Sequence, residues 1–281
     1  IDIIVGGHSH TAVAAPEKVG DTIIVQAGEW AGNLGELNIT VEDGNISSFS
    51  GQLIPITASM PASAPDSAVG ATLAKYQKSL SDRLNVVVGS TPVALVGERA
   101  DVRTRTTNLS NLVTDAMQAY THADIAITNG GGIRASLPAG DITVGGIYTV
   151  LPFDNSLVVL ELNGEGILKA LEHGLKLYPQ QNGAFAQVAG LTARFDPALP
   201  AGSRVLEVLV GGAPIDPAKN YTVATNDFMA AGGDGYEWFK SANVLFYSGD
   251  MLRDVLAAYI TERGVLTPSD VSSEVRLIAV K

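Results

Sequence analysis

Apolar and polar residues alternate through Leu37–Val41, break at Asp43-Gly44, and resume from Ile46 to Ile56. An Asp-Gly pair between two such runs predicts a β-hairpin with a tight turn. Two shorter apolar runs, Ile3–Val5 and Thr22–Gln26, read as buried strands ahead of it. Residues 57–67 then become mostly Ser, Ala and Pro, with Pro61 and Pro65 close together, which predicts a linker. Beyond it Val69, Leu73, Tyr76, Leu80 and Leu84 recur at three-and-four spacing, the apolar stripe of a helix suited to connect two domains.

From residue 86 the period changes repeatedly. Val86–Val88, Val93–Val96, Ile125–Thr128, Leu157–Leu162, Val188–Phe195, Val205–Val210, Tyr221–Ala224 and Arg276–Val280 read as strands. Asn108–Tyr120 and Ile167–Leu175 read as helices, and so does the stripe Leu252, Val255, Leu256, Tyr259 and Ile260. Strands and helices neither alternate strictly nor segregate. That order predicts an α+β fold rather than a doubly wound sheet.

Composition narrows the function classes. The chain has 281 residues, a soft prior of about two domains, and 46% of them are hydrophobic, as in a globular protein. Lys and Arg number 18 against 29 Asp and Glu, a net charge of −11. Bulk electrostatics therefore oppose binding to a nucleic-acid polymer, and an anionic ligand must be held by a few local arginines. No cysteine is present, which excludes disulfides, zinc knuckles and thiol catalysis. No apolar run approaches the roughly 18–20 residues of a membrane-spanning helix. Thirty glycines and only 17% charged residues suit an exported, loop-rich protein. The chain opens inside a strand, with neither Met nor signal peptide, and so reads as the C-terminal part of something longer.

Four constellations carry candidate chemistry. In Gly6-Gly7-His8-Ser9-His10 two imidazoles at i and i+2 point the same way if the backbone stays extended, and imidazole suits Zn, Mn, Fe or Ni. The loop holds half of the chain's four histidines, and packing does not readily account for its paired glycines. His122 and His173 sit near helix ends and read as solvated. In Asn129-Gly130-Gly131-Gly132-Ile133-Arg134, three glycines after a strand expose backbone N–H groups, and Arg134 offers a bidentate fork to a phosphate or a ring edge. The spacing is neither a dinucleotide fingerprint nor a Walker motif.

Arg99, Arg103 and Arg105 cluster just before the Asn108 helix, an anion-pocket candidate in so acidic a chain; the plainer alternative is a solvated charged loop. Finally, Phe153 lies in Leu151-Pro152-Phe153-Asp154-Asn155, and Phe228 in the loop running from Asn226 through Gly232-Gly233-Asp234-Gly235. A planar base between two rings would explain both, and Asp234 could accept both hydroxyls of a ribose. The alternative is two core phenylalanines.

Together these motifs resemble the bacterial and animal 5′-nucleotidases, including the UDP-sugar hydrolases and the 2′,3′-cyclic-nucleotide phosphodiesterases. Gly-Gly-His8-Ser9-His10 looks like the last metal-binding motif of that family, and Gln26-Ala27-Gly28 through Gly32-Asn33-Leu34-Gly35 like the stretch after it. Asn-Gly-Gly-Gly-Ile-Arg, with a Phe six residues before the Asp of Gly-Gly-Asp-Gly, is similar to the family's nucleotide pocket. The resemblance implies that residues 1–57 are the last strands of a calcineurin-like metallophosphatase domain. Residues 58–85 would be a linker and connecting helix. Residues 86–281 would be the C-terminal nucleotide-specificity domain, a mixed sheet with helices.

It further implies a metal-dependent phosphohydrolase releasing phosphate from nucleoside 5′-monophosphates or related nucleotides. His8 and His10 would each ligate one of two divalent ions (Zn, Mn or similar) in the parent, and fewer or none in this chain alone. Arg99, Arg103, Asn129, Gly131, Arg134, Phe153, Asn155, Phe228 and Asp234 would bind the substrate. Arg99, Arg103 and Arg134 would form the positive side of the pocket, Asn129 would face the base, Phe153 and Phe228 would sandwich it, Asn155 would hydrogen-bond its edge, and Asp234 would hold the ribose hydroxyls.

The family's remaining metal ligands and its Asn-His-Glu/Asp motif would lie upstream of Ile1. No catalytic residue is therefore expected in the chain, and its partners would be a nucleotide or nucleoside and the missing metallophosphatase domain. The family points to a periplasmic, cell-surface or secreted location. Two other readings remain open, a non-catalytic nucleotide-binding module and a thiosulfohydrolase-like relative on the same scaffold. The pair of phenylalanines speaks against the second, because a thiosulfate-sized ligand has no use for a base sandwich.

Overall fold

Asp43 and Gly44 both adopt the left-handed conformation (φ 51° and 79°), as a two-residue hairpin turn requires of its central residues. They join β4 to β5 in a computed structural model that describes residues 1–57 and 67–280. The described residues divide into two units, Ile1–Ala74 and Lys75 onward.

In the first unit, β1 (Ile3–Val5), β3 (Thr22–Val25) and β2 (Glu17–Val19) form a three-stranded sheet in the order β1-β3-β2. β1 runs parallel to β3, and β2 antiparallel. β4 (Asn33–Glu42) and β5 (Asn45–Pro55) are the long hairpin. The linker expected before the first helix falls on residues 58–66, outside the described residues. Helix α1 (Ser67–Leu84) contains the unit boundary, and two members of its apolar stripe, Tyr76 and Leu80, are exposed.

The second unit begins with β6 (Val87–Thr91), α2 (Arg99–Val102), α3 (Asn108–Thr121), β7 (Ile125–Asn129), β8 (Gly140–Thr143), α4 (Val144–Val150), β9 (Ser156–Asn163) and α5 (Gly164–Leu175). It continues through β10 (Ala186–Ala189), β11 (Leu191–Phe195), β12 (Val205–Val210), β13 (Ala213–Pro214), β14 (Asn220–Asn226), α6 (Asp227–Ala230) and α7 (Glu237–Lys240). It closes with β15 (Asn243–Met251), α8 (Leu252–Arg263) and β16 (Leu277–Ala279). A five-stranded sheet in the order β10-β7-β14-β9-β15 is mixed, with β7 and β14 parallel and every other pair antiparallel. A four-stranded sheet, β13-β12-β11-β16, and the pair β6-β8 complete it. The architecture is α+β.

Alternation along the strands sorts their side chains onto two cores. Ala126, Leu157, Ala224 and Ala189 face one, with Leu112, Val113, Leu256 and Ile260 from α3 and α8. Ile125, Ile127, Val158, Leu160 and Val223 face the other, with Ile167 and Leu171 of α5 and Phe195 of the smaller sheet. With both faces covered, β7 is buried at all five positions, which is why it reads as a continuous apolar run and not an alternating one. The N-terminus of α3 is closed by a reciprocal cap. The Thr107 hydroxyl accepts from Ser110 N at 3.1 Å, and Ser110 Oγ accepts from Thr107 N at 2.8 Å.

Two strand expectations need correction. Val93–Val96 is no strand, and only Leu95 makes a bridge, with Leu137. Val188–Phe195 is two strands belonging to different sheets. The break is Gly190 (φ 75°), where a Cβ would lie 2.1 Å from the carbonyl oxygen of Asp124. The pattern also hid β15, an edge strand whose Val244–Tyr247 run is exposed.

Candidate functional site

β7 and β14 run parallel as neighbours, so their carboxyl ends open at the same edge of the five-stranded sheet. β9 runs against β14 with Leu157 opposite Asn226, and its amino end lies at that edge too. Three loops therefore converge there: residues 130–134 after β7, 151–155 before β9, and 227–235 after β14. Asn129, Gly131, Arg134, Phe153, Asn155, Phe228 and Asp234 all lie on these loops or at the strand ends that feed them.

Asparagines tie the strand ends together. Asn226 Nδ2 donates to Thr128 Oγ1 at 3.0 Å and to Asn129 Oδ1 at 3.2 Å, while its Oδ1 accepts from Met229 N and caps α6. Asn129 Nδ2 in turn donates to Asp234 Oδ2 at 2.7 Å. Asp234 is exposed and left-handed (φ 52°), flanked by Gly232 (φ 90°) and Gly235 (φ 86°). Gly233 lies against Phe228, because a Cβ there would be 2.6 Å from the ring.

Neither phenylalanine is a core residue. Phe153 is 48% and Phe228 43% exposed, whereas Phe185, Phe195 and Phe239 of the same unit are fully buried; its other phenylalanine, Phe246, is exposed on the edge strand β15. The Arg134 guanidinium lies 5.7 Å from the Phe153 ring centroid, and its Nη1 donates to the Gly131 carbonyl at 3.3 Å. A small crevice beneath is lined by Thr128, Gly132, Leu151, Phe153, Asn155 and Asn226.

α2 meets the glycine turn by backbone contact. A Cβ on Gly130 would fall 1.9 Å from the Val102 carbonyl oxygen, so only glycine fits and Arg103 is brought beside the turn. Arg99 is exposed on α2 one turn earlier, whereas Arg105 pairs with Asp101 at 2.9 Å.

Three contributors escaped the sequence reading. The segment Asn182-Gly183-Ala184 links the site: Asn182 N donates to the Arg103 carbonyl at 3.2 Å, and Gly131 N donates to the Gly183 carbonyl at 2.8 Å. Arg253 of α8, 8% exposed, donates to the Phe153 carbonyl at 3.2 Å and to Asp154 Oδ1 at 2.6 Å, with its guanidinium 4.5 Å from the Tyr148 ring centroid. His173 is not solvated as expected but half-buried, with Nε2 2.8 Å from the Asp234 carbonyl oxygen. Burial pushes its pKa below the ordinary 6.5, which the hydrogen bond it donates to the Asp234 carbonyl only partly opposes. A buried arginine on a helix carries no periodic signal of its partner; these roles are set by contacts between distant segments.

In the first unit, the histidine loop is a turn and not an extended strand. His10 N donates to the Gly7 carbonyl at 3.2 Å and His10 is left-handed (φ 60°), so the i, i+2 argument for a shared direction does not apply. Packing accounts for Gly6 after all, since a Cβ would meet Gln26 Oε1 at 2.4 Å; Gly7 has open space. His8 is exposed, and His10 Nδ1 faces the Glu29 carboxylate. A carboxylate on Nδ1 holds an imidazole with Nε2 available as a ligand. Yet among the described residues no group of three or more His, Asp or Glu side chains is placed to hold a metal ion. The loop offers two nitrogen donors, short of a hydrolytic metal set.

Known proteins place the chain. Residues 87–241 match the family described as 5′-nucleotidase, C-terminal domain. The trifunctional nucleotide phosphoesterase protein YfkN of Bacillus subtilis is 39% identical over 86% of this chain and 17% of its own length. The structure of a 5′-nucleotidase precursor from Thermus thermophilus superposes with a TM-score of 0.82 at 36% identity, over 99% of this chain and 59% of that one. The sulfate thiohydrolase SoxB of Thermus thermophilus superposes with a TM-score of 0.71 at 25% identity, over 100% of this chain and 50% of that one. The chain thus spans no more than about three fifths of these proteins. Among the described residues no helix is long and apolar enough to cross a membrane. By sequence match and by fold, the chain belongs to the 5′-nucleotidase family.

Proposed function

We propose that the chain is the nucleotide-binding portion of a metal-dependent phosphohydrolase acting on nucleoside 5′-monophosphates or related nucleotides. The observation that carries this reading is the pair of half-exposed rings, Phe153 and Phe228, on loops at neighbouring strand ends, beside a left-handed Asp234 whose carboxylate is oriented by Asn129. Two half-exposed rings on converging loops beside a polar, acceptor-bearing turn suit a planar ligand, and stacking contributes about 1–3 kcal/mol per base. The crevice beside Phe153 encloses about 10 Å³, room for at most one water, so a base rests over it and not inside it.

In this reading Phe153 and Phe228 hold the base and Asn155 hydrogen-bonds its edge, whereas Asn129, expected from the sequence to face the base, is buried with its amide engaged by Asp234 and Asn226 and orients Asp234 instead. Asp234 accepts the ribose hydroxyls. Arg99, Arg103 and Arg134 supply the positive side of the pocket; the Gly130 and Gly131 N–H groups, expected from the sequence to be open to a ligand, donate instead to the Phe185 and Gly183 carbonyls, so Gly131 serves by close backbone approach. Residues 1–57 are the end of a metallophosphatase domain, 58–85 the connector and 86–281 the substrate domain. His8 and His10 contribute two donors to a metal site completed elsewhere. When bound, such ions polarise a phosphoryl oxygen and lower the pKa of a coordinated water. The whole protein acts outside the cytoplasm, in nucleotide breakdown.

A thiosulfohydrolase-like role is the second reading, supported by the likeness to SoxB. One experiment separates the two. Calorimetry with adenosine, without metal, should give binding that Phe228→Ala weakens about ten- to hundredfold with the fold intact. Absence of adenosine binding in the folded chain, or an affinity unchanged by Phe228→Ala, would remove the nucleotide reading.

A further inference from the structure

Asp234 sits on a loop in which Gly232, Asp234 and Gly235 are all left-handed. An aspartate tolerates that conformation poorly compared with glycine, and a short exposed loop does not impose it. Two outside groups hold the residue instead. Asn129 takes the carboxylate, at 2.7 Å from Oδ2. His173 takes the backbone, with Nε2 2.8 Å from the carbonyl oxygen.

A carbonyl oxygen only accepts, so Nε2 of His173 carries the proton. The ring stands under the turn. A Cβ on Gly235 would be 2.7 Å from His173 Cε1. It packs edge-on to Tyr236 (4.9 Å between centroids) and Trp238 (5.7 Å). Tyr236 is fully buried, and its hydroxyl donates to the Ala184 carbonyl at 2.6 Å. His173 is therefore anchored on the last turn of α5, half-buried against the fully buried Tyr236, while the residue it holds is exposed.

We propose that His173 is the positioning residue for ribose recognition. Its Nε2–H fixes the Asp234 peptide, so that the carboxylate is presented to a pair of vicinal hydroxyls. This rests on the assignment of Asp234 to the ribose made above. His173 does not touch the ligand and acts through Asp234.

The test compares adenosine with 2′,3′-dideoxyadenosine by calorimetry on the full chain, and reads the ratio of the two affinities. The wild type should favour adenosine by roughly tenfold or more, as a charge-assisted hydrogen bond gives. Asp234→Ala should collapse the ratio toward one. His173→Asn should collapse it too, because its amide lies where Nδ1 was and cannot reach the carbonyl. His173→Gln places an N–H near the Nε2 position and should restore most of the ratio. Phe228→Ala should weaken both ligands and leave the ratio standing. Both histidine substitutions keep a polar, similar-sized side chain, and a circular-dichroism spectrum matching the wild type confirms that each has folded. If the ratio stays at its wild-type value in His173→Asn while Asp234→Ala collapses it, the inference fails and the assignment of Asp234 survives. The inference fails likewise if Asn and Gln behave alike. If Asp234→Ala leaves the ratio unchanged, the assignment falls and the inference with it.

Discussion

Asn129 and Asp234, 105 residues apart in the chain, meet with 2.7 Å between Nδ2 and Oδ2. The contact joins the end of one parallel strand to the loop after its neighbour, so the ordering of both loops depends on the pairing of β7 with β14. A carboxylate held by one neutral donor keeps lone pairs for further hydroxyls. The pair thus fixes direction without saturating the acceptor.

Replacing Arg253 should loosen the Phe153 loop. Arg253→Met keeps much of the apolar stem but loses both hydrogen bonds to residues 153–154. Because Asp154 is largely exposed, the expected cost in stability is modest, about 1–2 kcal/mol. Adenosine affinity should fall as well. Urea denaturation and calorimetry on the same preparation check both, and unchanged affinity in a destabilised variant would show that the Phe153 loop is held by other contacts.

Gly130→Ala should destabilise the chain by about 1–3 kcal/mol or more, because the added Cβ would meet the Val102 carbonyl oxygen at 1.9 Å and backbone cannot swing aside. Gly7→Ala, with open space around it, should stay within about 0.5 kcal/mol of wild type. Denaturation midpoints of the two variants make the comparison. Equal midpoints would refute the close approach of α2 to the glycine turn.

Burial lowers the pKa of His173, Lys176 lowers it further, and the hydrogen bond and charge of Asp234 act the other way. The folded state therefore disfavours the charged ring. As pH falls through 6.5 the unfolded chain takes up this proton first, and stability drops until the folded ring also titrates, at a lower pH. The melting temperature should decline over that window, and His173→Gln should flatten the decline. A His173→Gln profile parallel to wild type would contradict this. Asp270 adds a separate loss at lower pH. Its pKa is held below the ordinary 3.8 chiefly by the Thr267 hydroxyl, with Arg263 assisting, so its contribution fades as pH falls from about that value.

The chain alone should hydrolyse AMP no faster than a blank containing the same metal, because its described residues do not assemble a set of three His, Asp or Glu ligands. Phosphate release after repurification, assayed with Zn²⁺ and with Mn²⁺, measures this. Metal-dependent release that vanishes in a His8→Ala/His10→Ala double variant would overturn it.

Local chemistry was enough for much of this protein. The Asp43-Gly44 hairpin, the stripe of α8, the buried run of β7 and the glycine turn leading to Arg134 are each set within a few residues, so periodicity and turn chemistry reveal them. The residues on the three converging loops could be named from their types and spacing for the same reason. Tertiary structure decided the rest. Gly190 ends one sheet and begins another because the backbone of Asp124 lies against it, and no local pattern reports that neighbour. The His8–His10 loop turns instead of staying extended, the condition on which its two imidazoles would share a direction, and it is held by Gln26 donating to Ser9 Oγ at 2.8 Å. Arg253 and His173 look like surface residues in the sequence, one on an amphipathic helix and one near a helix end. They become supports for Phe153 and Asp234 only because packing helices against the sheet brings segments about 100 and 61 residues apart within hydrogen-bond distance. Periodicity records which face of an element is buried; which distant carbonyl a buried side chain meets is fixed only when the elements pack.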